Sequence, residues 1–578
     1  MTTRQNGRVP APTAAAPGAS DAATLPINLG RVPLRSLLSR HGLMVLAFLV
    51  LWSAFLEQRS LWDPDEGRYA EIPREMAASG DWTTPRLNDL LYFEKPPLQY
   101  WATAGAYRVF GEHNWTARLW SALAGLAGAL FAFYACRRLY SQRAGMYAAL
   151  TLASSILYFG VTHLNTLDSG LSFFLEVTVF SLAIGLREET PESERKWWIR
   201  AAWAAAGLAV LSKGLVGLVL PAAALVVYAV LYRDRSIWRR LAPLTGPAIF
   251  LLVSAPWFVA VSRANPDFLQ FFFVHEHYTR FLTTEHHRGQ PWWFFFPVLA
   301  AGALPWVGPM LCGWWRALRV SRGGDFKPFT FLAVWALVVL GFFSASGSKL
   351  VTYILPVLPA LAVLAARYMC VAAPGRVARQ VFWGAVGPAA AFAGMASALA
   401  LRPGAFGAAM SEALPLWCLA AAVLWGVAAF LARRLADPRK FDATMIVLGL
   451  TLFAVHQLVL LGSEAASPYR TTAALARQIK PLLSESTRVY AVRMYPQTLP
   501  VYLGRPVTLV EFRGELDFGL QREPHKTLPT LDAFRDAWSR ETDAVAIMTR
   551  KTYDTLLAAG TPMTVIAADA ERTVVRRH

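Results

Sequence analysis

Trp62-Asp63-Pro64-Asp65-Glu66-Gly67-Arg68-Tyr69-Ala70-Glu71, closed by Tyr92-Phe93-Glu94-Lys95-Pro96-Pro97, is the stretch on which the reading of this chain turns. It follows the first long apolar run directly, in a chain that is 55% hydrophobic and only 16% charged. Charge beside lipid is costly unless it is solvated, paired or used, so this island is where chemistry is sought.

The apolar runs around the island set the class. They recur along most of the 578 residues, and the chain carries 21 Trp, so a bilayer is the solvent. The formal charge of +18 raises nucleic acid as a partner. Its placement argues against that, because Arg concentrates in short loops between apolar runs, the pattern of cytoplasmic loops. Four Cys lie in or beside apolar runs without metal-type spacing and read as packing residues. Residues 1–41 are Ala/Pro/Thr-rich with scattered Arg and read as a disordered cytoplasmic tail.

Thirteen apolar runs, from residues 42–56 to residues 445–461, predict a mainly α, polytopic domain over 42–462 with about 13 transmembrane helices. Counted in order, the loops holding Arg137–Arg143, Arg187–Arg200, Arg233–Arg240, Arg316–Lys327, Arg367–Arg379 and Arg433–Lys440 all fall on the side of the Arg-bearing amino terminus. That places the amino terminus in the cytoplasm and the carboxyl terminus outside. The other side then gathers the island, the His163–Asp168 turn, Ser212-Lys213-Gly214, an external loop over 263–290 and Ser344–Lys349.

The external loop over 62–112 is long enough for juxtamembrane helices. Tyr69, Ile72 and Met76 recur at helical spacing, with Pro73 as a kink, and Tyr100, Trp101, Tyr107 and Phe110 predict a second such helix. Phe268–Phe273 is a third candidate. Residues 463–578 change composition and read as an external α/β domain: a helix over 467–484, strands near 488–494, 507–511, 544–548 and 563–568, and helices over 532–540 and 551–559. That domain shows no phosphate-binding Gly loop and is assigned no catalysis.

Asp65 can hold a cation, an ammonium or a sugar hydroxyl, or take a proton; its competing reading is a helix N-cap. Asp168 opens an otherwise apolar span and has the same competing reading. Lys95 and Arg68 suit phosphate, Lys as a point charge and Arg as a planar fork, against the alternative of headgroup snorkelling. Arg280 and Lys349 are further phosphate candidates. His275 and His277, with Glu94 as a third ligand, raise a divalent metal site, Zn²⁺ by donor type, against ordinary interfacial histidines.

Residues 65–76, Ser79-Gly80-Asp81-Trp82, Pro85 with Leu87, and Tyr92–Pro97 with Tyr100-Trp101 resemble the first external loop of bacterial aminoarabinose transferases. These are polyprenyl-phosphate-sugar-dependent glycosyltransferases of the GT-C fold. Residues 163–168 and 346–356 are similar as well, and the resemblance covers nearly the whole chain. Departures lie in Asp63-Pro64-Asp65-Glu66-Gly67 and in Pro97-Leu98-Gln99 after the Lys-Pro.

The resemblance implies a monomeric, multi-pass protein of the bacterial inner membrane with a periplasmic carboxyl-terminal domain. It implies transfer of 4-amino-4-deoxy-L-arabinose from undecaprenyl phosphate to a lipid A phosphate, by inverting single displacement, as in polymyxin resistance. Asp65 and Asp168 would serve the sugar, and Lys95, Arg68, Arg280 and Lys349 the phosphates. Protein O-mannosyl transfer, or another lipid-linked sugar transfer, is the alternative. A transporter is the reading from a different class, disfavoured because no repeat is found and the polar groups gather at one face.

Overall fold

The computed structural model describes residues 40–234, 236–272, 289–320, 325–402 and 408–577. Among them, seven helices are long and apolar enough to cross a membrane: Asn114–Leu139, Leu167–Gly185, Thr245–Ala264, Pro328–Ala345, Pro374–Leu401, Ala413–Arg434 and Phe441–Arg470. Two bent pairs raise the number to nine if each is one span. Gln142–Ala153 meets Ile156–Thr162 at 66°, and Phe295–Gly302 meets Val307–Leu318 at 118°. The remaining apolar runs also form helices but miss these criteria. Arg40–Ser53, Val216–Tyr232 and Val357–Val371 have 14, 17 and 15 residues, short of the roughly 20 that a crossing takes. Glu192–Lys213 is long enough but begins with Glu192, Glu194, Arg195 and Lys196. The chain is a multi-pass membrane protein.

The 62–112 segment forms the two expected helices, Asp65–Ser79 and Leu98–Phe110, separated by a short hairpin of β1 (Arg86–Leu87) and β2 (Leu90–Leu91). Pro73 lies within the first helix, which ends at Gly80 in the left-handed conformation, φ 77°. Residues 268–272 of the third candidate are helical; Phe273 lies outside the described residues.

The carboxyl-terminal region builds a five-stranded sheet in the order β4-β3-β5-β7-β6, from β3 (Arg488–Val492), β4 (Thr508–Val510), β5 (Ala544–Thr549), β6 (Thr564–Ala568) and β7 (Arg572–Arg576). β3 runs parallel to β4 and β5, whereas β7 is antiparallel to both β5 and β6. Alternation along the strands serves two cores. Tyr490, Val492, Ala546, Met548 and Val575 pack with Phe534, Trp538 and Leu556 of the helices Leu531–Arg540 and Arg550–Ala558. Val489, Ala491, Val545, Ile547 and Val574 share the other core with Tyr69, Ile72, Met76, Leu87, Leu90 and Tyr100.

That second core shows what the apolar face of the juxtamembrane helix Asp65–Ser79 packs against. This face lies on the sheet, and several of the helix's charged residues are covered too: Glu71 and Arg74 are buried, paired at 2.6 Å. Polar contacts fasten the same junction. Asp63 accepts from the Thr498 amide at 2.7 Å and its hydroxyl at 3.1 Å, with Arg572 at 3.5 Å. Asn88 exchanges two 2.8 Å hydrogen bonds with the Val507 backbone. Burial pushes the Asp63 carboxyl up to about 6, against those donors.

Gly67 is required by this docking. A Cβ there would sit 2.6 Å from the Thr498 amide nitrogen and 2.7 Å from the Gln497 carbonyl carbon, backbone atoms that cannot swing aside. Ala is the better helix former by about 1 kcal/mol, but overpacking costs about 1–3 kcal/mol. The steric term wins, so Gly67→Ala is expected to lower the melting temperature in detergent and speed proteolysis between the helical bundle and the sheet. Unchanged melting and cleavage would contradict this close approach.

Candidate active site

Five segments bring the charged groups together: Asp65–Ser79, residues 92–100, residues 163–168, the end of Glu192–Lys213 and the short helix Val351–Ile354. A buried network holds the first three in register. Arg118, in the first turns of Asn114–Leu139, grips Glu66 with Nε at 2.7 Å and Nη2 at 2.9 Å. Its remaining donors reach the carbonyls of Leu56, Arg59 and Ser60 at 2.7–2.9 Å. Glu66 also accepts from the Asn165 amide at 3.0 Å, and Asn165 Oδ1 accepts from Gln99 at 2.7 Å. Burial opposes the Glu66 charge, yet Arg118 holds the carboxyl below its usual range. Every charge in this pair is satisfied, the condition on which a buried ion pair is tolerated.

On this frame the expected residues take distinct positions. Asp65 lies in the first turn of its helix, 3.3 Å from Arg68, and its side chain keeps 51% of its exposure. Asp168 is buried in the first turn of Leu167–Gly185 and receives a hydrogen bond of 2.5 Å from Lys213 Nζ. Neither helix shows a side-chain cap bond at its N-cap residue, and both carboxylates face the favourable end of a helix dipole. Lys213 Nζ also lies 4.9 Å from the centre of the Tyr353 ring.

Arg68 is buried, bonded to Glu515 of the carboxyl-terminal region as well as to Asp65, and lies over the Tyr69 ring at 5.6 Å. Burial raises the Glu515 carboxyl and Arg68 pulls it back, with the net shift upward. Around this guanidinium, Tyr92 Oη, Tyr100 Oη and Arg68 Nε are buried without a hydrogen-bond partner among the described residues. Buried donors are normally satisfied, so this cluster is equipped to receive a polar molecule. The Tyr69 hydroxyl lies among these charges. Burial raises its pKa, and Asp65, Glu94 and Asp168 add to the rise against Arg68.

Lys95 Nζ donates to the Glu94 carbonyl at 2.8 Å and lies 3.7 Å from the Glu94 carboxylate. Lys349 is buried, its Nζ donating to the Ser346 carbonyl at 2.5 Å. Arg280, His275 and His277 lie outside the described residues. The expected Zn²⁺ site therefore finds no support. Among the described residues no three His, Cys, Asp or Glu side chains form a metal-binding group, and Glu94 is engaged by Lys95.

Sequence reasoning placed Lys213 on the external face without giving it a role, and it missed three further contributors. Lys213 ends an apolar helix immediately before Gly214, a signal that was available. Glu515, Tyr353 and Arg118 carry none that separates them from ordinary surface, aromatic or snorkelling residues.

The fold is similar to that of solved structures. A crystal structure of ArnT from Cupriavidus metallidurans bound to undecaprenyl phosphate matches with a TM-score of 0.86 and 37% identity, covering 92% of this chain and 97% of that one. The chain belongs to the aminoarabinose transferase family. The apo crystal structure of the same ArnT matches at a TM-score of 0.84 and 36% identity, with the same coverage of both chains. The family model described as the aminoarabinose transferase C-terminal domain matches residues 475–577. The model described as dolichyl-phosphate-mannose-protein mannosyltransferase matches residues 94–260.

Curated relatives agree. An undecaprenyl phosphate-alpha-4-amino-4-deoxy-L-arabinose arabinosyl transferase of Sodalis glossinidius is 38% identical over 332 residues, 57% of this chain and 58% of its own length. A protein of the same name from Pseudomonas aeruginosa PAO1 is 36% identical over 326 residues, again 58% of its length. The chain thus spans less than two thirds of the curated relatives it matches. Within the family, the mainly helical GT-C architecture with a carboxyl-terminal domain is common ground.

Proposed function

We propose that the protein transfers 4-amino-4-deoxy-L-arabinose from undecaprenyl phosphate to a lipid A phosphate. The reaction would run at the periplasmic face of the bacterial inner membrane, with the amino terminus cytoplasmic and about 13 crossings. The observation that carries this reading is the Asp168–Lys213 pair over Tyr353, set beside the exposed carboxylate of Asp65 and the Arg68 cluster. Carboxylates and cations alternate there, as a cationic sugar between two phosphates demands. The likeness to an ArnT bound to undecaprenyl phosphate supports the same donor.

In the reaction an acceptor phosphate oxygen attacks the anomeric carbon as the bond to undecaprenyl phosphate breaks, and the leaving phosphate takes the electron pair. A phosphate monoester has a second pKa of about 6, so the acceptor needs positioning more than a base. Asp65, the accessible carboxylate, faces the sugar ammonium or the positive charge developing at the anomeric carbon. Asp168 holds Lys213 on the Tyr353 side, where that ammonium can be shared with an arriving phosphate. Lys95 and Arg68 supply further positive charge for the leaving group, with Lys349 and Arg280 as outer phosphate contacts. No step is routed through a metal.

The match over residues 94–260 keeps protein O-mannosyl transfer as the second reading, which needs a base for a hydroxyl acceptor. Membranes containing the protein, given undecaprenyl phosphate-aminoarabinose, are expected to modify lipid A and to leave hydroxyl-bearing peptides untouched. Peptide glycosylation from a mannosyl donor, with lipid A unmodified, would replace the proposal by its alternative.

A further inference from the structure

A cleft of about 560 Å³, lined by charged and apolar side chains, opens at the other end of the helices that carry the site. Arg187, Glu189, Asp325, Lys327, Phe329 and Arg367 line it. Three helices connect the two places. Leu167–Gly185 holds Asp168 in its first turn and is followed by Arg187. Pro328–Ala345 is preceded by Lys327 and followed by the Lys349 segment. Val357–Val371 follows Tyr353 and carries Arg367 near its end. These helices have 19, 18 and 15 residues. At 1.5 Å per residue they separate site and cleft by about 22–28 Å, close to the thickness of a bilayer core.

We propose that this cleft holds the phosphodiester headgroup of an anionic phospholipid, taken from the leaflet opposite the reaction site. Among its described lining residues three cations face two carboxylates, a positive balance that suits one phosphodiester. The Arg367 guanidinium lies over the Phe329 ring at 4.3 Å and within 5.9 Å of Tyr140, with no carboxylate partner among the described residues. Ring packing leaves the edge of a guanidinium, with its N–H donors, free to fork onto phosphate oxygens. Arg187 is held in place by the Arg138 carbonyl at 2.9 Å and by Glu189 at 3.2 Å. A lipid fits better than a free anion because the surrounding surface is apolar. Tyr140 and Val371 are exposed at the ends of Asn114–Leu139 and Val357–Val371, where acyl chains would run. The Arg-rich loops of this side match the leaflet in which basic pockets between helices take anionic headgroups.

The test uses the full chain purified in mild detergent, with native mass spectrometry of retained lipid and thermal melting in added phosphatidylglycerol, phosphatidylcholine or glycerophosphate. Phosphatidylglycerol is expected to be retained and to raise the melting temperature, and the other two are not. The double variant R187Q/R367Q is expected to bind it about 25-fold more weakly, roughly fivefold for each cation. The R187K/R367K variant should recover part of that loss. Equal retention of phosphatidylcholine by the wild type would overturn the proposal, whether or not the variants fold. So would unchanged phosphatidylglycerol binding by the double Gln variant. Equal protection by glycerophosphate would mark a site for a soluble anion and reject the lipid.

Discussion

Asp168→Asn is expected to lower kcat/KM for sugar transfer by at least about 100-fold, with the protein still accumulating in membranes. Asn keeps the shape of the side chain and one oxygen that can accept from Lys213. What it removes is the charge that fixes the Lys213 ammonium between Asp168 and the Tyr353 ring. In a partly buried pair that charge matters more than it would in water, because the surroundings screen it poorly. The assay compares transfer rates in membranes at matched protein level, with melting in detergent as the control for folding. Near-wild-type kcat/KM would remove Asp168 from the site.

Arg118→Met is expected to cost about 3–5 kcal/mol and to deplete folded protein, because it strands the buried Glu66 carboxylate. The same change frees three carbonyls, those of Leu56, Arg59 and Ser60, which Arg118 satisfies. Pairing it with Glu66→Gln removes the uncompensated charge, so the double variant is expected to recover part of the loss, the signature of coupling. Fluorescence-detected size exclusion and melting in detergent read the effect. A single variant as stable as the wild type would mean that the pair does not hold the 56–66 segment.

The charged island was legible because it contradicts its surroundings. Few forces keep so many charges beside lipid, so Asp65, Lys95 and their neighbours stood out, and helical spacing foretold Asp65–Ser79 and Leu98–Phe110. The partners were not legible. Asp168 and Lys213 are 45 positions apart in sequence, and Arg68 and Glu515 are 447 apart, so each pairing depends on packing that no local pattern encodes. Arg118 stands at the edge of an apolar run, with nothing in the local sequence to mark it, yet it is among the most buried of the described side chains.

The carboxyl-terminal domain shows the same division. Four of its strands were visible as short apolar runs, but β7 was not expected at all. Arg572-Thr573-Val574-Val575-Arg576 is brief and flanked by charge, and it becomes a strand because it fits between β5 and β6. The helix expected over 467–484 is broken at Thr471-Thr472. Thr472 instead bonds Thr498, with its amide at 3.0 Å and its hydroxyl at 2.9 Å. In both places a tertiary contact outweighs local propensity. The same domain packs on the apolar face of Asp65–Ser79 and sends Glu515 to Arg68, so it helps to shape a site in which it was assigned no part.

Mass spectrometry of lipid A from cells with and without the intact protein tests the central claim most directly. The account predicts that lipid A gains a 4-amino-4-deoxy-pentose on phosphate only when the protein is present, and that Asp168→Asn abolishes the gain. Identical lipid A in all three strains, with undecaprenyl phosphate-aminoarabinose present in the membrane, would contradict it.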